Sequence, residues 1–214
     1  MRYRYIIYDW NGTLLDDTDI CVDILNTMLS AKNLPKVSKE KYQDIFMFPI
    51  RDYYVRAGFN LESESFEEIA ANFEPLYKNA YKKCNLFDGI LPMLDDFNTK
   101  GIKQIVISAT EIGLLREQLS YFGLTSVLND YIALNNYYAQ SKIELAKNYF
   151  AHNNIDKNCA IIVGDTLHDA EVADSIGCDC VLFSGGHQSI EKLKTSGKTV
   201  LSSISEIKKH FVNS

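Results

Sequence analysis

The sequence lacks the features that mark membrane, secreted and nucleic-acid-binding proteins. No apolar run approaches the roughly 20 residues of a membrane helix, and the first residues, MRYRYIIYD, predict a strand and show no signal-peptide pattern. The 22 lysines and arginines form no block and are outnumbered by 28 acidic residues, which gives a formal charge of −6. We therefore expect a cytoplasmic protein that binds neither nucleic acid nor membranes.

Cysteine pairs, nucleotide-binding turns and repeats are also missing. The five cysteines include no Cys-x-x-Cys motif, and Cys178 and Cys180 have the alternate spacing of small core residues in a strand. No Gly-x-Gly-x-x-Gly turn follows a predicted strand, which disfavours a plain nucleotide-binding Rossmann domain. With 214 residues, 46% of them hydrophobic, the chain can form one domain with an inserted module.

What the sequence does contain is an alternation of short apolar runs and helical patterns. The apolar runs are YRYIIYD, KQIVIS, DYIAL, CAIIVGD and CDCVLFS. Their nearly continuous apolar character is typical of strands that are covered on both faces. Helical patterns lie between them at residues 90–100, 112–122, 141–152 and 170–176. This order predicts an α/β fold with a doubly wound, Rossmann-like parallel sheet.

One long segment interrupts this alternation. Residues 16–83 contain helical patterns, such as DICVDILNTMLSAKN and FEEIAANFEPLYKNAYKKC, and no convincing strand. A segment of this length is too long for a connecting loop. We therefore predict an all-helical inserted domain at residues 16–83 and an α/β core formed by residues 1–15 and 84–214.

Polar residues collect where the predicted strands end. Asp9 ends the first strand, Ser108 ends KQIVIS, and Asp165 ends CAIIVGD, with Asp169 four residues later; Lys142 opens a helix after the third strand. Each residue also has a local explanation as a helix cap or surface group. Because ligands of open parallel sheets bind beyond the carboxyl ends of the strands, however, these side chains are expected to share one edge.

Carboxylates that converge in this way repel one another unless a cation is present. Oxygen ligands of this kind suit Mg²⁺, which commonly takes one or two carboxylates together with phosphate oxygens. A neighbouring lysine would neutralise phosphate charge, and an aspartate can attack phosphorus to give an aspartyl phosphate. The residues therefore indicate a phosphoryl-transfer site.

Four segments in register resemble the motifs of the haloacid dehalogenase (HAD) superfamily. They are DWNGTLLDD, IVISAT, SKIELA and IIVGDTLHDAEVADSIG. The stretch LFDGILPMLDDFNTKGIKQIVISAT is similar to the phosphoglycolate-phosphatase-like branch, whose helical cap is inserted where residues 16–83 lie. The resemblance implies a Mg²⁺-dependent hydrolase that acts on a small phosphorylated metabolite, as a monomer or homodimer.

The resemblance also implies roles for individual residues. Asp9 would be the nucleophile, and the other catalytic positions would be Asn11, Ser108 and Lys142. The metal ligands would be Asp9, the main-chain carbonyl of Asn11, Asp165 and Asp169. The substrate would contact Gly12, Thr13, Ser108, Ala109 and Lys142, together with Arg51 in the cap. Asp16 matches the acid at the hinge into the cap.

Asn11 departs from the family pattern, which usually has an aspartate that protonates the leaving group and activates water. An amide cannot shuttle a proton, and loss of a general acid–base typically costs about 10²–10⁴-fold in rate. Three hypotheses stay open: a phosphatase biased toward good leaving groups or using another proton carrier such as His168 or His187, a slowly released phosphoenzyme, and a binding or regulatory protein. Asn11-Gly12 is also prone to deamidation, which would restore an acid.

A phosphonate-cleaving member of the superfamily is a further alternative. That branch also shows Asp-Trp in its first motif and uses a cap lysine to form a Schiff base. Four lysines in the helical segment would be available, namely Lys32, Lys36, Lys39 and Lys41. Surface lysines in a helical domain are nonetheless expected by chance.

Overall fold

The chain folds around a central parallel sheet. The computed structural model describes residues 2–134 and 141–212. Its strands are β1 (Tyr5–Tyr8), β2 (Leu15–Asp16), β3 (Asn85–Leu86), β4 (Lys103–Glu111), β5 (Asp130–Leu134), β6 (Ala160–Gly164), β7 (Asp179–Phe183) and β8 (Thr199–Leu201). Six of them form one sheet in the order β5-β4-β1-β6-β7-β8, in which every neighbouring pair is parallel. The predicted fold class is therefore confirmed.

Helices occupy both the predicted crossovers and the predicted insertion. Within the described residues they are α1 (Thr18–Ala31), α2 (Lys39–Ile45), α3 (Ile50–Ala57), α4 (Phe66–Ala80), α5 (Ile90–Thr99), α6 (Ile112–Tyr121), α7 (Lys142–His152), α8 (Leu167–Ile176), α9 (Ile190–Lys194) and α10 (Ile204–Val212). None of these helices is both long and apolar enough to cross a membrane.

The apolar strands bury both of their faces. Ile6 and Tyr8 of β1 belong to one hydrophobic cluster, whereas Ile7 belongs to another on the opposite side of the sheet. Successive side chains of a strand point to opposite faces, so a strand covered on both sides needs apolar residues at every position. This explains the unbroken runs in the sequence.

The strand order determines where a ligand can bind. The strand β1 lies between β4, which precedes β5 on one side, and β6, which precedes β7 and β8 on the other. The chain therefore changes direction across the sheet at β1. In open α/β folds the crevice at such a switch point, beyond the carboxyl ends of the strands, is the usual ligand site.

The inserted helical segment, residues 16–83, forms most of a second hydrophobic cluster, which also includes Leu114 of α6. Residues of α1–α4, among them Leu25, Leu29, Tyr42 and Ile69, are buried together. The short antiparallel pair β2–β3 lies where the chain leaves and re-enters the α/β part. This arrangement agrees with a helical cap, although the boundaries at residues 15 and 84 stay a prediction.

Candidate active site

Three carboxylates and one lysine meet at the carboxyl edge of the sheet. The Nζ of Lys142 lies 2.7 Å from Asp9 Oδ1 and 2.6 Å from Asp169 Oδ1. Carboxylate oxygens of Asp9, Asp165 and Asp169 lie within 4.8 Å of one another. The side chain of Asp9 is 14% exposed, whereas that of Asp169 is 1% exposed. Asp9 is therefore the carboxylate of this cluster that an incoming ligand can reach.

Two of these carboxyl groups are held in an environment that disfavours their negative charge. Burial raises the pKa of Asp9 to about 6, although the charge of Lys142 opposes this shift. Burial also raises the pKa of Asp165 to about 7, and the nearby carboxylates of Asp9 and Asp169 add to the increase. Closely spaced carboxylates of this kind gain stability from a bound cation.

Asp169 binds Lys142 and also caps the N-terminus of α8. Burial raises its pKa, but the charge and hydrogen bond of Lys142 and the hydrogen bond from Thr166 outweigh this, so the net pKa is lowered. Its Oδ2 accepts hydrogen bonds from the main-chain N–H and hydroxyl of Thr166, at 3.0 and 2.7 Å, at the start of α8. The helix-capping and functional interpretations of this residue are therefore compatible.

The donor set fits a hard divalent cation. Asp165 accepts one hydrogen bond on each oxygen, from the Thr13 hydroxyl at 2.8 Å and from the main-chain N–H of His187 at 2.6 Å. Each carboxylate oxygen has two lone pairs, so both oxygens of Asp165 keep one for a metal. Three carboxylates against one lysine leave an excess of negative charge, which matches the oxygen ligands that Mg²⁺ takes.

A second group of potential ligands has a different character. Asp17, Cys21 and His187 are buried with ligand atoms within 4.8 Å of one another. The Asp17 oxygens already accept from the Gly12 N–H at 2.9 Å and the Tyr77 hydroxyl at 2.6 Å, and His187 Nε2 lies 3.3 Å away. We interpret this group as an ion pair within a hydrogen-bond network, because little lone-pair capacity is left for a metal.

The ion pair determines the charge of His187. Burial lowers its pKa, but the adjacent Asp17 carboxylate outweighs burial and raises the pKa to about 9. The Nδ1 atom contacts the hydroxyl of Tyr42 in the helical segment at 2.9 Å. His187 is therefore a buried imidazolium that connects the core to the helical segment.

The side chain of Asn11 is fully engaged by neighbours. Its Nδ2 donates to Asp17 Oδ2 at 2.7 Å and to the hydroxyl of Tyr77 at 2.5 Å. Its Oδ1 accepts a hydrogen bond from the Thr110 hydroxyl at 2.8 Å. Both amide hydrogens and the carbonyl oxygen are therefore used, which fixes the orientation of this side chain.

Gly12 is required by the close approach of its backbone to the carboxylates. Its φ is +69°, and a Cβ at this position would overlap the Asp165 carboxylate and the ring of His187. We expect Gly12→Ala to lower the free energy of unfolding by about 2 kcal/mol or more, through backbone strain and this overlap. Chemical denaturation measures the change.

Gly101→Ala is the matched control for that substitution. Gly101 has a similar φ of +74°, but an added Cβ would meet no atom within 4 Å. Only the backbone strain of about 1 kcal/mol then applies. Equal destabilisation of the two variants would contradict the tight packing that we describe around Gly12.

The remaining predicted residues are placed as follows. Ser108 is buried in β4, and its hydroxyl accepts from the Thr110 N–H at 3.0 Å; it does not cap α6, because Glu111 supplies that cap. Ala109 follows it in β4 and is partly buried. Arg51 lies on the exposed side of α3, whereas its neighbours Tyr53 and Tyr54 are buried. A contact between Arg51 and a substrate therefore stays a prediction.

The four candidate Schiff-base lysines and His168, the other candidate proton carrier, lie at the surface or in packed contacts. Lys32 pairs with Glu64 and Lys39 pairs with Asp19, each at 2.8 Å. Lys36 and Lys41 are exposed. His168 lies 2.9 Å from Glu171, and its ring stacks on that of Phe48. No observation on the described residues favours a Schiff-base lysine.

Sequence reasoning missed the partners of Asn11. Asp17, Thr110 and Tyr77 were not singled out, although the paired acids of LLDD and the threonine of IVISAT stand next to motif residues. Tyr77 is distant in sequence and belongs to α4. No local pattern identifies a residue that reaches a site only through the docking of another helix.

Comparison with known proteins establishes the family. The profile of the family described as Haloacid dehalogenase-like hydrolase matches residues 6–183. The chain therefore belongs to this family, whose members include phosphatases.

Three similar proteins illustrate the range of described activities. The chain is 24% identical to the tyrosine-protein kinase PtkA of Mycobacterium tuberculosis, over 96% of this chain and 71% of that protein. It is 23% identical to an N-acetylmuramic acid 6-phosphate phosphatase of Pseudomonas putida, over 83% of this chain and 81% of that protein. The fold matches a crystal structure described as a predicted phosphoglycolate phosphatase from Haemophilus somnus, with a TM-score of 0.78, 16% identity and 99% of each chain covered.

Proposed function

We propose that the protein is a Mg²⁺-dependent hydrolase of a small phosphate monoester and that it acts through an aspartyl phosphate on Asp9. The observation that carries this proposal is the arrangement of Asp9. It is a partly exposed carboxylate 2.7 Å from the buried Lys142, within reach of two further carboxylates. A reachable anion beside a fixed cation suits attack on a phosphoryl group.

In the first half of the reaction, in which the aspartyl phosphate forms, each residue of the site has a separate role. Asp9 attacks phosphorus while Lys142 stabilises the charge on the nucleophile and on the phosphoryl oxygens. The hydroxyl of Ser108, at the adjacent strand, orients those oxygens. Asp9, the main-chain carbonyl of Asn11, Asp165 and Asp169 would hold Mg²⁺, which when bound neutralises charge on the phosphoryl group. The bond to the leaving oxygen then breaks.

The fixed amide of Asn11 limits which substrates react well. A leaving oxygen of high basicity needs a proton as it departs, and Asn11 has no proton to transfer. We therefore expect esters with good leaving groups to be the better substrates. The same observation supports a second candidate function, in which the protein binds a phosphorylated ligand with little turnover.

The helical segment would act as a cap that selects the substrate. Its contacts with Asn11 and His187, through Tyr77 and Tyr42, support this role. The described activities of relatives support small phosphorylated metabolites, such as a sugar phosphate or phosphoglycolate. Arg51 is our candidate for recognition of an anionic part of the substrate.

The metal can be tested through stability at different pH values. The pKa values of Asp9, about 6, and Asp165, about 7, lie above the ordinary range, so the folded state binds protons more tightly than the unfolded state. Without metal, the free energy of unfolding therefore falls as the pH rises from about 4, the ordinary pKa of an aspartate, to about 7. Because Mg²⁺ competes with these protons, we expect the increase in Tm caused by Mg²⁺ over EDTA to grow between about pH 5 and pH 8.

Asp165→Asn is the control for the metal experiment. His187 also loses its stabilising charge as pH rises toward its pKa of about 9, but this contribution is common to the EDTA and Mg²⁺ samples. We expect the variant to lose most of the Mg²⁺-dependent increase. An equal increase in the variant and the wild type would contradict the metal site proposed here.

A further inference from the structure

Asn11 cannot serve as the base in the second half of the proposed reaction. Asn11 is neutral, and its amide group is used by Asp17, Tyr77 and Thr110. Water that attacks the phosphorus of an aspartyl phosphate must lose a proton, and a fixed amide cannot accept it.

The neighbouring carboxylates do not replace it within the described part of the chain. Asp169 is bound by Lys142 and Thr166, and Asp165 is bound by Thr13 and the His187 N–H and belongs to the proposed metal site. Asp17 is paired with the His187 imidazolium. Each of these acids already accepts hydrogen bonds from its neighbours, so we expect attack by water to be slow.

We propose that the phosphoryl group on Asp9 passes to phenolic hydroxyl groups in preference to water. A phenol has a pKa of about 10, whereas that of bulk water is about 15.7. Its phenolate therefore forms without help from a protein base. This inference rests on the proposed function, because it requires the phosphoenzyme that the first half of the reaction forms.

The transfer step is balanced and reversible. The phenol loses its proton to solvent, the phenolate oxygen forms a bond to phosphorus, and the bond between phosphorus and the Asp9 oxygen breaks to regenerate the carboxylate. The reverse step is the departure of an aryl leaving group as its anion. A site in which residue 11 cannot carry a proton is thus suited to aryl groups in both directions.

Aromatic side chains line the neighbouring part of the helical segment. The ring of Phe46 stacks on His187 with centroids 5.0 Å apart, and the ring of Phe48 stacks on His168 at 4.7 Å. His187 bonds Asp165 through its main chain, and His168 precedes Asp169. Both phenylalanines are partly exposed, although Phe46 also packs against Tyr42 and Tyr53. We infer that an aryl group packs against the part of these rings that stays exposed.

The test uses p-nitrophenyl phosphate as donor and two isomeric acceptors, 4-ethylphenol and 2-phenylethanol. These acceptors share size and an aromatic ring, but only the first has an acidic hydroxyl. We expect 4-ethylphenol to make p-nitrophenol release exceed inorganic phosphate, with the difference recovered as 4-ethylphenyl phosphate by phosphorus NMR. With 2-phenylethanol the two products stay equal. In Asn11→Asp, attack by water should speed up by about 10²-fold or more, so a smaller share is transferred.

The outcomes separate this inference from the proposed function. Equal p-nitrophenol and inorganic phosphate in the presence of 4-ethylphenol, with release that still requires Asp9, would overturn the transfer alone. Equal transfer to both acceptors would overturn the selectivity for phenols. If p-nitrophenol release is the same in Asp9→Asn, or is not seen at all, the proposed function and the transfer both fail.

Discussion

Asp9→Asn is expected to abolish the hydrolysis of p-nitrophenyl phosphate, with a loss of about 10⁴-fold or more in kcat, as for removal of the nucleophile in other covalent enzymes. The amide oxygen of asparagine is a weak nucleophile and carries no charge to pair with Lys142, which lies 2.7 Å from Asp9. Steady-state release of p-nitrophenol in the presence of Mg²⁺ measures the effect. The aryl ester is chosen because its leaving group departs without a general acid.

The control is Asp95→Asn, which removes the same charge from an exposed position on α5. Its activity should equal that of the wild type. Thermal unfolding of both variants shows whether the fold is retained. Activity in Asp9→Asn comparable with that of the control would rule out Asp9 as the nucleophile, and with it the assignment of the site.

Asn11→Asp is expected to increase kcat/KM for alkyl phosphate esters by about 10²–10⁴-fold, while kcat/KM for p-nitrophenyl phosphate, which reports only formation of the phosphoenzyme, changes little. The new carboxyl would lie beside Asp17, whose Oδ2 is now 2.7 Å from Asn11 Nδ2. Two carboxyl groups so close share a proton, because one of the pair has a strongly raised pKa. A protonated carboxyl at residue 11 is the acid that an alkoxide leaving group requires.

The comparison should use phosphoglycolate and p-nitrophenyl phosphate with each variant. Asn72→Asp, an exposed position on α4, adds the same charge away from the site and should change neither rate. Intact mass should be measured for every sample, since deamidation of Asn11 would mimic the substitution. A gain of equal size in kcat/KM for both esters would show that the residue acts by some means other than protonation of the leaving group.

Much of the fold could be predicted because local and global signals agree. The apolar runs correspond to β1, β4, β5, β6 and β7, and the helical patterns at residues 90–100 and 112–122 correspond to α5 and α6. The edge strand β8 (Thr199–Leu201) was missed. It is three residues long and none of them is fully buried, so it lacks the apolar pattern that marks the inner strands.

The sequence predicted which residues meet at the site but not every local contact that they make. Asp9, Asp165, Asp169 and Lys142 lie at strand ends or helix starts, where topology alone brings them together, and the structure does so; their catalytic roles stay predictions. Ser108 has capping-box spacing, yet Glu111 caps α6 instead. Spacing identifies which caps are available to a helix, whereas the local backbone decides which one is used.

The sequence by itself determined the parallel sheet, the helical insertion and the edge at which the acidic residues meet, because strand and helix periodicities and strand-end residues are local properties of the chain. Only the tertiary structure decided the environment of Asn11. Tyr77 comes 66 residues after Asn11, and Asp17 is paired with His187, a residue 170 positions further along. Such contacts depend on how the helical segment packs against the sheet, and no pattern within a single element specifies that packing.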